Sequence, residues 1–258
     1  MRITVLVKEV PDTYGDRRID PATGLAVRDP ADAVLDEVCE RALETALRVK
    51  DAAPDTEVVA MTMGPESAVG SLRRALAIGA DSAVLVSDSR LAGADLTVTA
   101  TVIAAALRKV GFDLVVAGNQ STDGTGAVIV PMLAELLGIP GAGHFTTIDV
   151  SSGRVAGTRA TDGGSVSAVA DLPAIVSVTE QAPEARFPSL KSTMGAKRKP
   201  IEIWSLDDLS EAIDDPAVAR SIVLAVSERP PRTQGVVVTD TGDAAEQLAD
   251  FLIANRLV

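Results

Sequence analysis

The chain has 258 residues, 47% of them apolar, and a formal net charge of −12. That length and apolar content allow one large core with an appendage, and the acidic surface argues against a nucleic-acid or anionic-membrane partner, because like charge repels phosphate. The single cysteine, Cys39, excludes an intramolecular disulfide and leaves too few thiols for a cysteine zinc or iron–sulfur site. Aromatic residues make up 2% of the chain, so the core is expected to be aliphatic and base-stacking platforms are not expected. No apolar run approaches the roughly 18 residues of a membrane span, and residues 1–8 reach a charge too early for a secretory signal. A soluble, cytoplasmic protein without direct membrane insertion is expected.

Residues 3–7 read as a first buried strand, and Lys8-Glu-Val-Pro-Asp12 leaves its end. Residues 17–27 carry Asp20-Pro and Thr23-Gly24, a turn signature that predicts a β-hairpin. Residues 31–50 predict a helix with Leu35, Val38, Cys39, Ala42, Ala46 and Val49 on one stripe, its start marked by Asp29-Pro30. A second strand over 57–63 leads through Gly64-Pro65-Glu66 into a helix that ends at Gly79. A third strand (83–86), a helix over 94–110 closed by Gly111, and a fourth strand (114–117) follow. This alternation predicts right-handed βαβ crossovers and a parallel sheet covered on both faces.

After the fourth strand comes a polar loop with three glycines, Gly118, Gly124 and Gly126, and then a helix over 127–137. Glycines permit backbone angles that would turn amides inward where the helix presents unpaired N–H donors at the carboxyl end of a parallel strand. That arrangement suits a phosphate. The loop is neither G-x-G-x-x-G nor G-x-x-x-x-G-K-[ST].

Four short strands over 145–150, 155–160, 165–170 and 174–179 then predict hairpins extending the sheet, with the last returning to its centre. Arg186, Lys191, Lys197, Arg198 and Lys199 stand with no acid between Arg186 and Pro200, a basic stretch in an acidic chain. It reads as a docking loop for an acidic partner or as a solvated surface loop. A short helix over 207–212, a break at Pro230-Pro231 and an amphipathic helix over 244–255 complete a C-terminal arm that needs a surface to rest on. The only histidine, His144, has no neighbours for a metal set or a catalytic triad, and there is no G-x-S-x-G elbow. The pairs Asp207-Asp208 and Asp214-Asp215 read as helix-start and solubility residues.

Val7-Lys-Glu-Val-Pro-Asp12, Cys39-Glu40, Met63-Gly-Pro65, Ala75-Leu-Ala-Ile-Gly-Ala-Asp81, Ala117-Gly-Asn-Gln-Ser-Thr-Asp123, Leu172-Pro-Ala174, Arg186-Phe-Pro-Ser-Leu190 and the stretch from Met194 to Lys199 together resemble the electron-transfer flavoprotein β subunit of bacteria. The likeness is collinear over essentially the whole chain. It implies an α/β fold, a Rossmann-like parallel sheet with flanking helices of the adenine-nucleotide α-hydrolase type, extended by antiparallel strands and a C-terminal arm. Residues 1–185 would form the nucleotide-binding domain, 186–200 the partner recognition loop, and 201–258 the arm embracing an α subunit.

The resemblance also implies AMP in this chain and FAD at the heterodimer, held mostly by the α subunit. Electrons would come from flavoprotein dehydrogenases such as acyl-CoA dehydrogenases and go to a quinone oxidoreductase, with no bond chemistry by this chain. The AMP site would fall on Leu6, Asp36, Val38, Cys39, Met63, Gly118, Asn119, Gln120, Ser121, Asp123, Thr125 and Gly126, with the amides of Thr125 and Gly126 facing the phosphate. Arg186, Leu190, Lys191, Met194, Lys197, Arg198 and Lys199 would meet the partner, with Leu190 as the apolar anchor. The loop departs from the family's pattern, since Thr125-Gly126 follows Asp123-Gly124 at once. It matches neither the AMP-binding form nor the bifurcating form, which holds a second FAD in place of AMP. A stand-alone adenine-nucleotide binder of the stress-protein kind is a further reading, though the long arm argues against it. ATP-pyrophosphate chemistry would want Ser-Gly-Gly-x-Asp-Ser after the first strand, where Lys8-Glu-Val-Pro-Asp12 stands.

Overall fold

A computed structural model describes residues 1–15, 17–28, 32–209, 221–227, 230–231 and 235–258. Its organising strand is β1 (Arg2–Leu6), whose Ile3 and Val5 have no exposed surface. Burying such a side chain contributes about 1.5–3 kcal/mol. On one side β1 pairs with β4 (Glu57–Met63), which pairs with β5 (Ser82–Val86). On its other side lies β6 (Leu114–Gly118). The chain therefore builds outward in one direction and then crosses back, and the reversal lies between β1 and β6.

The full sheet has seven parallel strands in the order β12-β5-β4-β1-β6-β11-β7, with β7 Gly141–Phe145, β11 Ala174–Val178 and β12 Ile201–Trp204. The return of residues 174–178 to the centre, expected from their apolar run, is observed. Helices α1 (Glu37–Ala52) and α2 (Val69–Ile78) cover one face, and α3 (Leu96–Val110) and α4 (Ile129–Leu137) cover the other. Asp95 caps α3 by accepting from the Val98 amide, and Gly79 and Gly111 close α2 and α3 as their positions predict. A 3-10 turn at Glu66–Ala68 stands between Pro65 and α2.

Several expectations are corrected. Helix α1 starts at Glu37, not residue 31: Ala33–Leu35 is strand β3, antiparallel to β2 (Glu9–Pro11). Asp36 decides this, because its carboxylate accepts from the Val38 amide and so begins the helix. The expected start at Asp29-Pro30 lies outside the described residues. The strand expected over 145–150 is two strands, β7 and β8 (Thr147–Ser151), broken at Thr146, whose amide and hydroxyl donate to the Thr158 carbonyl. The hairpins do not extend the main sheet. β8, β9 (Arg154–Thr161) and β10 (Gly164–Asp171) form a separate antiparallel sheet, joined to the body where the Phe145 ring packs over Gly157.

Residues 17–27 close through one bridge, Ile19 to Ala26. The basic stretch contains a helix, α5 (Leu190–Ala196), started by Ser189. Ile201–Trp204, expected at the root of the arm, is the edge strand of the main sheet. A 3-10 turn occupies Asp207–Leu209, while the remainder of the helix expected over 207–212 and the pair Asp214-Asp215 lie outside the described residues. The segment from Val226 to Val258 is a unit of its own, with a helix α6 (Ala244–Ala254) that buries none of its residues.

Candidate functional site

The site forms where the sheet reverses direction, at the carboxyl ends of β1 and β6, the place where open α/β sheets bind ligands. Leu6, ending β1, and Met63, ending β4, line one hollow with Val7, Met61, Val86 and Ile103. Across the reversal, Gly118 ends β6 against the start of α1. A Cβ there would stand 3.0 Å from Val38 Cγ1 and 3.3 Å from its carbonyl carbon, so glycine is what lets β6 approach the helix. Val38 and Cys39 sit in the first turn of α1 and are buried.

Asp36 is fully buried. One of its oxygens caps α1; the other accepts from the Thr122 amide at 2.8 Å and the Thr122 hydroxyl at 3.2 Å. Asp123 is pinned from the opposite side: Lys8 Nζ donates to Oδ1 at 2.6 Å and Arg28 to Oδ2 at 2.8 Å, while Lys8 also donates to Ser121 Oγ at 3.1 Å. Burial pushes the Asp123 carboxyl up, but the Lys8, Arg28 and Ser121 hydrogen bonds outweigh it and hold the group well below the usual carboxylate range. Arg17 donates to the Thr122 carbonyl. Lys8, Arg17 and Arg28 were not among the expected site residues. Lys8 lay in a quoted motif, and the two arginines flank the hairpin, which gave the only signal that they would meet the loop.

The loop's geometry differs from the expectation in two respects. Left-handed backbone falls on Thr125 (φ 48°) and Ala127 (φ 55°), and not on Gly118, Gly124 or Gly126. The Thr125 amide, expected to face the phosphate, donates back to the Ser121 carbonyl at 2.9 Å instead, and the Gly124 amide donates to Asp123 Oδ1 at 2.7 Å. Helix α4 then begins with no side-chain cap, leaving its first-turn donors for a ligand or water. Gln120 is exposed. Asn119 lies 3.5 Å from the His144 ring through its amide nitrogen, and its Oδ1 is buried with no partner. Burial first, and then the Asp36 charge, push the Cys39 thiol up to about 12, so this cysteine is an inert hydrophobe in the chain.

The basic stretch is a second site. Leu190, Lys191, Met194, Lys197 and Arg198 are exposed on and after α5. Arg186 and Lys199 turn inward: Arg186 pairs with Glu44 and Asp51, and Lys199 Nζ donates to the Leu76 and Ala80 carbonyls at the end of α2. Burial pushes the Lys199 ammonium below its ordinary value. Among the described residues no group of acids, histidine and cysteine could hold a metal ion, and no helix is long and apolar enough to cross a membrane.

The family profile described as "Electron transfer flavoprotein domain" matches residues 23–209. An "Electron transfer flavoprotein subunit beta" of Mycobacterium leprae is 41% identical over 99% of both chains. The chain belongs to the electron-transfer flavoprotein β-subunit family. A relative of the same name from Megasphaera elsdenii is 33% identical over 100% of both chains, and "Caffeyl-CoA reductase-Etf complex subunit CarD" of Acetobacterium woodii is 33% identical over 98% of this chain and 97% of its own. Membership makes the chain one half of a flavin-dependent electron carrier, with an α subunit as its counterpart. The recognition from the motifs and the α/β fold expected with it agree with these matches.

Proposed function

We propose that this chain binds AMP at the reversal between β1 and β6 and that its 186–200 loop docks flavoprotein dehydrogenases such as acyl-CoA dehydrogenases. FAD held mainly by the α subunit would then carry electrons to a quinone oxidoreductase, in the cytoplasm. When bound, that flavin supplies the redox chemistry; this chain supplies position and recognition. The observation that carries the nucleotide reading is the join of three elements on one loop: Asp36 from α1 on Thr122, and Lys8 and Arg28 on Asp123. With Asp123 neutralised in this way, the loop presents the Gly126–Val128 backbone and the uncapped start of α4, which fit an anion. The hollow at Leu6 and Met63 offers an apolar lining at the strand ends, and the unpartnered Asn119 Oδ1 fits a hydroxyl or amino donor.

A second FAD in place of AMP, with bifurcating chemistry, is the other reading. It is favoured by the Lys8 and Arg28 cations beside the loop, which could take a second phosphate, and by the relative whose name places it in a caffeyl-CoA reductase–Etf complex.

The docking reading rests on exposed apolar side chains inside a basic segment. Phe187, Leu190 and Met194 are 91%, 87% and 70% exposed, the last two one turn apart on α5, a pattern that serves as anchors in a partner groove ringed by steering charges. Leu190→Ala in the FAD-loaded heterodimer is expected to raise the KM for a medium-chain acyl-CoA dehydrogenase on the order of tenfold or more, with fold and FAD content retained. Unchanged electron transfer would overturn it.

A further inference from the structure

The segment that presents Leu190 is tied to the body of the protein on both sides of its exposed tip. On the approach, Arg41 of α1 donates to the Ala182 carbonyl at 2.5 Å, and Glu44, on the same helix, receives Arg186. Arg186 Nε stands 2.7 Å and one terminal nitrogen 3.1 Å from the two Glu44 oxygens, with the Arg186 amide on the same carboxylate at 3.2 Å. Both terminal nitrogens also reach Asp51, at 2.7 and 3.4 Å. On the exit, Arg73 of α2 donates to the carbonyls of Ala196 and Lys199, at 2.7 Å each.

We propose that Arg186 is a positioning residue and not a contact for the partner: its fork on Glu44 sets the docking segment on helix α1 so that Leu190 is presented ready for the dehydrogenase. The proposal rests on the docking reading above. The argument is one of occupancy and burial. Every side-chain nitrogen of Arg186 already has a carboxylate partner, and the Glu44 side chain is 5% exposed, so the pair is not exchanged for a partner's acid without leaving a buried charge unpaired. Glu44 in turn sits on a helix held by Leu43, Ala46 and Leu47 in the core, which makes it a rigid base. A tip ordered before encounter loses less freedom on binding, and that saving is the function of the pair. Lys191, Lys197 and Arg198, exposed on the tip side, are left as the steering charges.

Steering and positioning assign opposite signs to Glu44. If Arg186 acted as a cation for an acidic partner, Glu44→Gln would remove a competing negative charge and leave docking unchanged or tighter. If Arg186 acts through Glu44, the same variant weakens docking. The FAD-loaded heterodimer carrying Glu44→Gln, Arg186→Lys, Lys191→Gln or Leu190→Ala is titrated against medium-chain acyl-CoA dehydrogenase reduced by octanoyl-CoA, over a range of salt.

The expected result for Glu44→Gln and Arg186→Lys is a KM raised on the order of tenfold, with kcat, FAD content and the salt dependence of KM as in the wild type, and faster amide exchange over residues 190–196. Lys191→Gln flattens the salt dependence. A Glu44→Gln or Arg186→Lys heterodimer whose KM is unchanged or lower, while Leu190→Ala raises it, overturns the positioning role and leaves docking intact. Unchanged KM in Leu190→Ala overturns the docking reading and this proposal with it. Arg186→Lys keeps the charge and loses only the fork, so it gives a decision even where Glu44→Gln assembles poorly.

Discussion

The buried carboxylate of Asp36 joins helix α1 to a loop 86 residues further along the chain: it accepts from the Val38 amide at 3.1 Å and from the Thr122 amide at 2.8 Å. One side chain both starts a helix and closes the glycine loop. Asp36→Ala removes a cap and strands the Thr122 donors, a loss of about 2–4 kcal/mol. The thermal midpoint of the heterodimer is expected to fall accordingly, with a smaller fall for Asp36→Asn, which keeps an acceptor. A midpoint for Asp36→Ala indistinguishable from the wild type would count against the latch.

Asp123 and Glu44 predict a particular acid response. Burial raises both carboxyls, and the hydrogen bonds from Lys8 and Arg28, and from Arg186 and Arg48, outweigh it, so both lie below their ordinary values of 3.8 and 4.5. A depressed carboxyl contributes stability that is present above its unfolded value and lost as pH falls through the folded one. Urea midpoints should therefore hold above the unfolded values and drop as the pH goes below about 4.5. The drop should be shallower in Asp123→Asn and Glu44→Gln. Equal slopes in all three proteins would rule the two pairs out as its source.

Gly157 makes room for the buried Phe145 ring. A Cβ on it would stand 2.6 Å from Phe145 Cγ, and that ring is 1% exposed. Gly157→Ala is expected to cost about 1–3 kcal/mol by overpacking, with Phe145→Leu recovering part of it in the double variant. Additive losses in the double-mutant cycle would contradict the contact.

Cys39 offers a chemical check on the site's interior. With its thiol pushed up to about 12 and its side chain buried, iodoacetamide at pH 8 should leave the native protein unlabelled and label it after denaturation. Labelling of the folded heterodimer at the rate of a free thiol would mean that the first turn of α1 opens.

The parallel sheet was legible because its strands are unbroken apolar runs and its helices carry their own stops at Gly79 and Gly111. The small β2–β3 pair was not, since Ala33-Val-Leu35 continues the apolar rhythm of α1 and only the cap at Asp36 separates strand from helix. β12 was hidden for a related reason: four residues after a basic stretch carry no periodicity of their own, and pairing with β5 is what makes them a strand.

At the site, the ends of β1 and β6 were legible as one edge, and Leu6, Met63, Gly118 and Asp123 do gather there. The loop's unusual angles fell on Thr125 and Ala127 because tertiary bonds to Thr122 and Asp123 fix the loop, whatever the intrinsic freedom of the neighbouring glycines. Counting charges likewise grouped Arg186 and Lys199 with Lys191. Only their partners, Glu44 on α1 and the last carbonyls of α2, separate inward cations from outward ones.

The most direct measurement is to purify this chain as a heterodimer with its α subunit, denature the complex and quantify the nucleotides released. One FAD and one AMP per heterodimer is the result the account predicts, with the AMP lost in a variant that empties the loop, such as Asp36→Ala with Asp123→Ala. Two FAD and no AMP, or ATP on a β-subunit homodimer that recruits no α subunit, would contradict it.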